Sequence, residues 1–316
     1  MNKSSNYELL GKSPEFEALL RSLDIAAVTD VTLILTGESG TGKELLAHHV
    51  HTRSRRNGAP FIAINCAALP EGLAESELFG HVKGAFTGAV ADNPGRISQA
   101  EGGTLFLDEI GEMSLDIQAK LLRFLESGEF QPVGSLKQRH ADVRLLAATN
   151  ADLRKKVEDG SFREDLYYRL NIIPFHVPAL RERTGDVELL IPEITKRLSE
   201  TYSLPAPSYS KAAMDCLKRY AWPGNIRELR NLCERMLILF NGREITDGNL
   251  PREIRHQQTK RWTFALPDSG IKLEELEQEL LQQALEKSQG NQSKAARILG
   301  LTRYAFIYRL KKYQLQ

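Results

Sequence analysis

A chain of 316 residues with 41% apolar and 26% charged side chains is long enough for two or three packed domains, and its balance excludes a disordered or fibrous protein. It has no apolar run long enough to span a bilayer, and Met1 to Asn6 lacks the apolar core of a secretion signal, so a cytoplasmic protein without a membrane partner is expected. The net charge of +1 is uneven: Lys287, Lys294, Arg297, Arg303, Arg309, Lys311 and Lys312 follow Glu286 without an acidic residue, which leaves −6 on the first 286 residues. That asymmetry marks the C-terminus as a nucleic-acid contact, against the plainer reading of a solvated basic tail. Cys66, Cys216 and Cys233 are far apart and form no metal-type pair, so they read as reduced, buried thiols.

Ser13-Pro14 starts a helix, with Ser13 as cap and Pro14 in the first turn, and Phe16, Leu19, Leu20, Leu23 and Ala27 form its apolar stripe. Val31 to Thr36 then reads as a buried strand. The next stretch is Gly37-Glu38-Ser39-Gly40-Thr41-Gly42-Lys43-Glu44, and Leu45 to Val50 reads as a helix. Strand, glycine loop, lysine and helix form the layout of a phosphate-binding loop. Glycines let successive N–H groups face one concavity, and a helix N-terminus favours anions. Lys43 would carry a mobile charge to the outer phosphates. The alternative is an ordinary glycine turn. One departure stands out: Glu44 occupies the place where such loops carry a Ser or Thr for magnesium.

Phe61 to Cys66 is a second short strand, Leu73 to Phe79 a helix, and Gly84 to Ala89 a glycine-rich loop that would expose Phe86 and Thr87. Thr104 to Glu109 is a third strand, apolar until it ends in two carboxylates. Asp108 there can hold Mg²⁺, directly or through water, and Glu109 can orient or deprotonate an attacking water. The plainer alternative is an acidic strand end facing solvent. Ser114 to Glu126 is an amphipathic helix with Leu115, Leu121, Leu122 and Leu125 inward. Val143 to Asn150 is a fourth strand and Asn171 to Val177 a fifth. Short apolar strands alternating with helices imply a mostly parallel sheet covered on both faces, with nucleotide at the strands' carboxyl ends.

From Thr184 the pattern becomes helical. Asp186 to Glu200, Ser210 to Tyr220 and Asn225 to Phe240 read as helices with no strand between them. Residues 251–272 read as a polar, basic linker. Leu273, Leu276, Leu280, Leu281 and Leu285 recur at helical spacing. Gln292 to Leu299, a turn at Gly300-Leu301, and Thr302 to Tyr313 form a helix-turn-helix. Ala295, Ala296, Ile298 and Leu299 would pack the first helix, and Ala305, Phe306, Ile307 and Leu310 the second. Lys294, Thr302, Arg303, Tyr304, Tyr308, Arg309 and Lys312 would face DNA, mostly for phosphate affinity and in part for base readout.

Five ordered motifs carry a family resemblance: Gly37 to Glu44, Gly84 to Ala89, Gly102 to Glu109, Phe162 to Leu170 and Trp222 to Leu229. Together they resemble the AAA+ activators of sigma-54 RNA polymerase, the bacterial enhancer-binding proteins. The resemblance implies an α/β P-loop module (1–183), a helical lid (184–250), a linker (251–272) and an all-α Fis-type helix-turn-helix domain (273–316). It implies hydrolysis of ATP with Mg²⁺, nucleotide binding across Gly37 to Glu44 and Leu45, and catalysis by Lys43, Asp108 and Glu109. Glu44 is a common residue at its place in that family, so the metal falls mainly to Asp108.

Further roles follow from the resemblance alone. Asn65 would hold Glu109 in an off state. Thr149 and Asn150 would read the outer phosphate, and Arg227 would reach it from the lid. Arg163 and Arg169 would be donated to the neighbouring subunit's nucleotide, where an arginine fork stabilises the transferred phosphoryl group. Arginines acting across subunits require a ring, expected to be a hexamer built from dimers. Gly84, Ala85, Phe86, Thr87, Gly88 and Ala89 would contact sigma-54. The leucine-bearing helix would make the Fis-type domain a dimer reading an inverted repeat of enhancer DNA. About 30 residues precede the first strand, too few for a sensory domain of about 100, so the expectation is regulation by a separate protein in trans, or a sensory domain that has been removed. Two other classes compete: a plain DNA-binding regulator, and an AAA+ motor such as a loader or unfoldase.

Overall fold

The computed structural model describes residues 9–255, 270–288 and 290–315. Residues 256–269, most of the expected linker, lie outside the described residues. The chain divides into two compact units, 1–257 and 258–316.

The first unit is built on five parallel strands: β1 (Leu33–Thr36), β2 (Phe61–Asn65), β3 (Thr104–Asp108), β4 (Arg144–Thr149) and β5 (Ile173–His176), in the order β2-β3-β4-β1-β5. All six positions of β4 are buried, as expected of a central strand covered on both faces. Alternate residues serve opposite cores. Ile34, Leu105, Leu107 and Ala147 pack on one face with Leu121 and Phe124, while Leu33, Leu35, Phe106 and Leu146 pack on the other with Phe16 and Leu23. The second face is covered by α1 (Pro14–Ala27), whose Ser13 hydroxyl accepts from the Phe16 amide, and by α2 (Lys43–Thr52). The first face carries α3 (Glu71–Phe79) and α4 (Leu115–Ser127); α5 (Glu164–Leu170) precedes the edge strand β5.

The lid is α6 (Asp186–Tyr202), α7 (Lys211–Arg219) and α8 (Asn225–Phe240), packed around the fully buried Trp222. A buried ion pair ties it to the chain start. Arg183 Nε donates to Asp186 Oδ2 at 2.7 Å, Asp186 Oδ1 accepts from the Lys12 and Ser13 amides, and the Arg183 guanidinium lies 3.8 Å from the Phe16 ring centroid. Arg183 Nη2 also donates to Leu10 O at 2.8 Å, so both ions are hydrogen-bonded beyond each other, which burial demands.

The structure departs from the sequence pattern in several places. The lid is not purely helical: Ser208–Tyr209 lies between α6 and α7 and pairs in parallel with Glu244–Ile245. A second two-residue ladder joins Glu129–Phe130 to Arg139–His140. Leu115 is exposed, because the inward stripe of α4 is Ile117, Gln118, Leu121 and Phe124. Cys66 and Cys233 are buried, but Cys216 is only partly covered.

The second unit is three helices, α9 (Leu273–Lys287), α10 (Gln292–Ile298) and α11 (Arg303–Lys312), around Leu281, Ala284, Ala295, Ala296, Phe306 and Leu310. Gly300, at φ 67°, makes the turn between the last two. Ile298 is half exposed rather than a core residue. Among the described residues, no helix is long and apolar enough to cross a membrane.

Candidate functional site

The phosphate loop runs from the end of β1 to the start of α2. Thr41 Oγ1 donates to Glu38 O at 2.8 Å and closes it. Gly42 enters α2 in the left-handed region at φ 96°. Gly40, at φ 79°, lies so near the lid that a Cβ would meet Gly224 O at 2.4 Å. Lys43 is 6% exposed and donates to Gly37 O (2.9 Å) and Glu38 O (3.2 Å). It is folded back along its own loop, over the concavity that phosphate oxygens would fill. Burial lowers its pKa, while the carboxylates of Glu109 and Asp108 oppose that shift.

Those carboxylates end β3, as expected. Burial, and then the neighbouring Glu109 charge, raises the pKa of Asp108, whereas Lys43 lowers it. Asp108 Oδ1 accepts from the Glu109 amide at 3.1 Å. Glu109 sits at φ 53°, a left-handed conformation that costs a non-glycine residue of order 1–3 kcal/mol. That backbone turns its carboxylate toward β4, where it accepts from the Asn150 amide at 3.1 Å. Thr149 is buried, and its hydroxyl accepts from the Ala151 amide at 3.0 Å.

The expected Asn65–Glu109 contact is replaced by a cap. Asn65 Oδ1 accepts from the Ala67 and Ala68 amides at 3.0 and 3.2 Å, because the short helical turn after β2 leaves those donors without partners. Cys66 lies beside the site, and burial together with Asp108 and Glu109 pushes its thiol up to about 12.

The lid closes on the loop through its own helix start. The Ile226 amide donates to Gly40 O at 3.0 Å, and Arg227 Nη1 to Ser39 Oγ at 2.8 Å. Two residues with no assigned role complete this junction. Asn225, fully buried, donates to Glu38 Oε2 (3.1 Å) and Ser39 O (3.0 Å) and accepts from the Leu180 amide (2.8 Å). Arg181 grips Glu38 with two bonds of 2.8 and 2.6 Å. That fork, then Asn225, holds the Glu38 carboxyl down at about 2. Asn225 lies inside the Trp222 to Leu229 motif, which was its available signal; Arg181 had none. Between loop and lid lies a cavity of about 380 Å³ whose walls include Leu10, Leu45, Ile194, Arg197 and Ile226. Its apolar walls required the fold to bring them together.

Arg163 caps α5 and pairs with Asp165, and Arg169 donates to Leu125 O at 2.8 Å; both side chains are exposed. Glu44 is exposed in the first turn of α2. Among the described residues, no three His, Cys, Asp or Glu side chains group as metal ligands. A single half-buried carboxylate, Asp108, beside a phosphate loop suits Mg²⁺, which takes one or two carboxylates and completes its shell with phosphate and water.

In the loop of Gly84 to Ala89, Thr87 is exposed, as expected. Phe86 is not: it is half-buried, edge-on to the His81 ring at 5.0 Å between centroids. The loop closes on itself through Gly84 N to Ala89 O at 2.9 Å, and its base rests on Val133 and Gly134.

In the second unit, Arg303, Tyr304 and Tyr308 project outward, and Lys294 is exposed. Thr302 is also exposed, but its hydroxyl caps α11. Arg309 and Lys312 depart from the expectation that they face DNA. Arg309 Nε donates to Glu277 Oε1 at 2.7 Å, and Lys312 Nζ lies 3.6 Å from Glu274 Oε1. The acidic start of α9 thus holds Arg309 half-buried, while Lys312 stays exposed beside Glu274.

Comparison with known proteins places these features in a family. Residues 9–176 match the sigma-54 interaction domain, 181–265 the AAA+ ATPase lid domain, and 272–313 the Fis family of bacterial regulatory proteins. Regulatory protein LuxO of Vibrio cholerae is 44% identical over 311 residues, which is 95% of this chain and 68% of LuxO. The crystal structure of NtrX from Brucella abortus in complex with ADP gives a TM-score of 0.74 at 32% identity, covering 98% of this chain and 69% of that one. NtrX in complex with ATP gives 0.73 at 33%, covering 96% and 69%.

Proposed function

From the premise that this chain belongs to the family of sigma-54-dependent transcriptional activators, with AAA+ and Fis-type DNA-binding domains, we propose that it hydrolyses ATP in a ring to convert sigma-54 polymerase from closed to open promoter complex. The observation that carries this reading is the convergence of Lys43, Asp108 and Glu109 under a lid helix bonded to Gly40.

ATP binding would turn Lys43 from the loop carbonyls to the outer phosphates, with the base in the cavity of Leu45, Ile194 and Ile226. Asp108 would hold Mg²⁺, and the bound ion would neutralise charge on the phosphates. Glu109 would accept a proton from, or orient, the attacking water, with Asn150 holding its carboxylate. Thr149, Asn150 and Arg227 would sense the outer phosphate. Arg163 and Arg169 would serve the neighbouring subunit, which their exposure permits. Gly84 to Ala89 would move with turnover and engage sigma-54. The Fis-type unit would hold enhancer DNA as a dimer, in the cytoplasm.

Glu109→Gln tests the reading. ATP affinity should stay within about threefold of wild type, and kcat for hydrolysis should fall at least about 10²-fold, with open-complex formation lost alongside it. Fluorescent nucleotide titration and phosphate release report the two separately, and continued turnover at the wild-type rate would refute the assignment of Glu109.

A further inference from the structure

Gln118 is a buried, fully hydrogen-bonded polar side chain of the first unit. It lies on α4, is 0% exposed, and takes no part in the chemistry above. Its Nε2 donates to Met113 O at 2.8 Å and to Ser161 O at 3.1 Å, and its Oε1 accepts from the Arg163 amide at 2.8 Å. The partners fix the orientation of the amide, because two carbonyls need donors and one N–H needs an acceptor. These three partners lie in two different places. Met113 closes the short helical turn that leaves β3 directly after Glu109. Ser161 and Arg163 bracket the entry to α5, with Arg163 at its cap.

A second bridge runs alongside. Lys156 Nζ donates to Gly111 O at 2.7 Å and to Glu112 Oε1 at 2.8 Å, and Lys156 O accepts from the Phe162 amide at 2.8 Å. The turn after Glu109 is therefore bonded, twice over, to the segment that presents Arg163. The Arg163 guanidinium itself is exposed and, among the described residues, is held by Asp165, two residues on. Its placement rests on the backbone, and Gln118 holds that backbone.

We propose that Gln118 is a positioning residue: it fixes the Arg163 backbone to the turn that follows Glu109, so that the site of one subunit sets the arginine donated to the next. The inference rests on the reading of Arg163 as a residue that acts across subunits. A buried amide with both donors used leaves carbonyls unpaired when it is lost, so its removal displaces this backbone. A displacement of about 1 Å at a catalytic group costs about 10²-fold in rate.

The test uses the full chain. Gln118→Met keeps length and removes the amide. Its ATP affinity, by titration with a fluorescent ATP analogue, should stay within about threefold, while kcat falls about 10- to 100-fold with KM nearly unchanged. Mixing then separates the direction of action. Gln118→Met subunits keep an intact Glu109 and donate a misplaced arginine; Glu109→Gln subunits do the reverse. An equimolar mixture should recover about a quarter of the wild-type rate, since that fraction of interfaces joins an intact Glu109 to an intact arginine. Arg163→Ala mixed with Glu109→Gln is the reference and should recover the same fraction. Recovery in the reference but none with Gln118→Met would overturn the proposal, because Gln118 would then act within its own site. No recovery in the reference would overturn the donation of Arg163, and the proposal with it. Gln118→Ala replaces Gln118→Met in the same mixtures if the methionine prevents folding.

Discussion

At the residue scale, Glu38 shows how one side chain in a nucleotide loop can also hold a lid. The motif placed it among residues that wrap phosphate, but its carboxylate faces away, into the fork of Arg181 and the amide of Asn225. Those donors hold its pKa at about 2, below the ordinary 4.5. A depressed carboxylate pKa contributes stability that is present above the unfolded value and is lost as pH falls through the folded one. The stability of wild type over Glu38→Gln should therefore be constant above about pH 5 and vanish between about pH 4.5 and 2. The pair is more than two-fifths exposed, so the difference should be modest and shrink in high salt. Urea midpoints of the two proteins across that range measure it. A difference that persisted unchanged to pH 2 would mean that the fork does not stabilise the fold.

At the scale of elements, the loop of Gly84 to Ala89 depends on a neighbour that sequence alone did not connect to it. Gly134, at φ 76°, packs against Ala85, and a Cβ there would stand 2.7 Å from the Ala85 Cβ. Gly134→Ala should add strain of about 1–3 kcal/mol and displace the loop base. Affinity for sigma-54 in the ATP-bound state should fall about 5- to 150-fold, which is the same energy read as binding. ATPase activity without polymerase should change less than about twofold, because none of the strained atoms touches the nucleotide site. Pull-down with sigma-54 and phosphate release check the two halves, and equal losses in both would argue against a local effect. The five sheet strands were legible because each is an apolar run ended by turn or charged residues, and Asp108 and Glu109 marked the carboxyl end of β3. The paired segments Ser208–Tyr209 and Glu244–Ile245 were not, since two residues carry no periodicity and their partner lies 36 positions away. Asn65 shows a related ambiguity. A residue at a strand end can serve a distant carboxylate or the next two amides, and the local bonds prevailed. Leu115 shows a limit of phase, since it lies off the helix face that Ile117, Gln118, Leu121 and Phe124 bury.

At the scale of the whole molecule, charge is uneven, with −6 on the first 286 residues and +7 on the last 30, which lie in the DNA-binding unit. The seven cations after Glu286 belong to that unit; Arg309 pairs with Glu277 and Lys312 lies near Glu274, while Arg303, Tyr304 and Tyr308 project outward. Helix α9 carries a second message. Leu281 and Ala284 enter the core, while Leu273 and Leu280, one heptad apart, are 75% and 36% exposed. Apolar side chains repeating at that spacing on an acidic helix fit a twofold partner better than water. Leu273→Asp combined with Leu280→Asp leaves the core of the unit untouched, so its folding should be preserved. If the helix pairs two copies, affinity for an inverted repeat should fall about 10²-fold or more through lost avidity, while affinity for a single half-site stays constant. Arg303→Ala should instead weaken both and reduce the salt dependence of binding by about one phosphate contact. Fluorescence anisotropy on the two DNA lengths, at matched ionic strength, distinguishes the outcomes. An equal loss on both from the leucine changes would place that face against DNA or its own core rather than against a second copy.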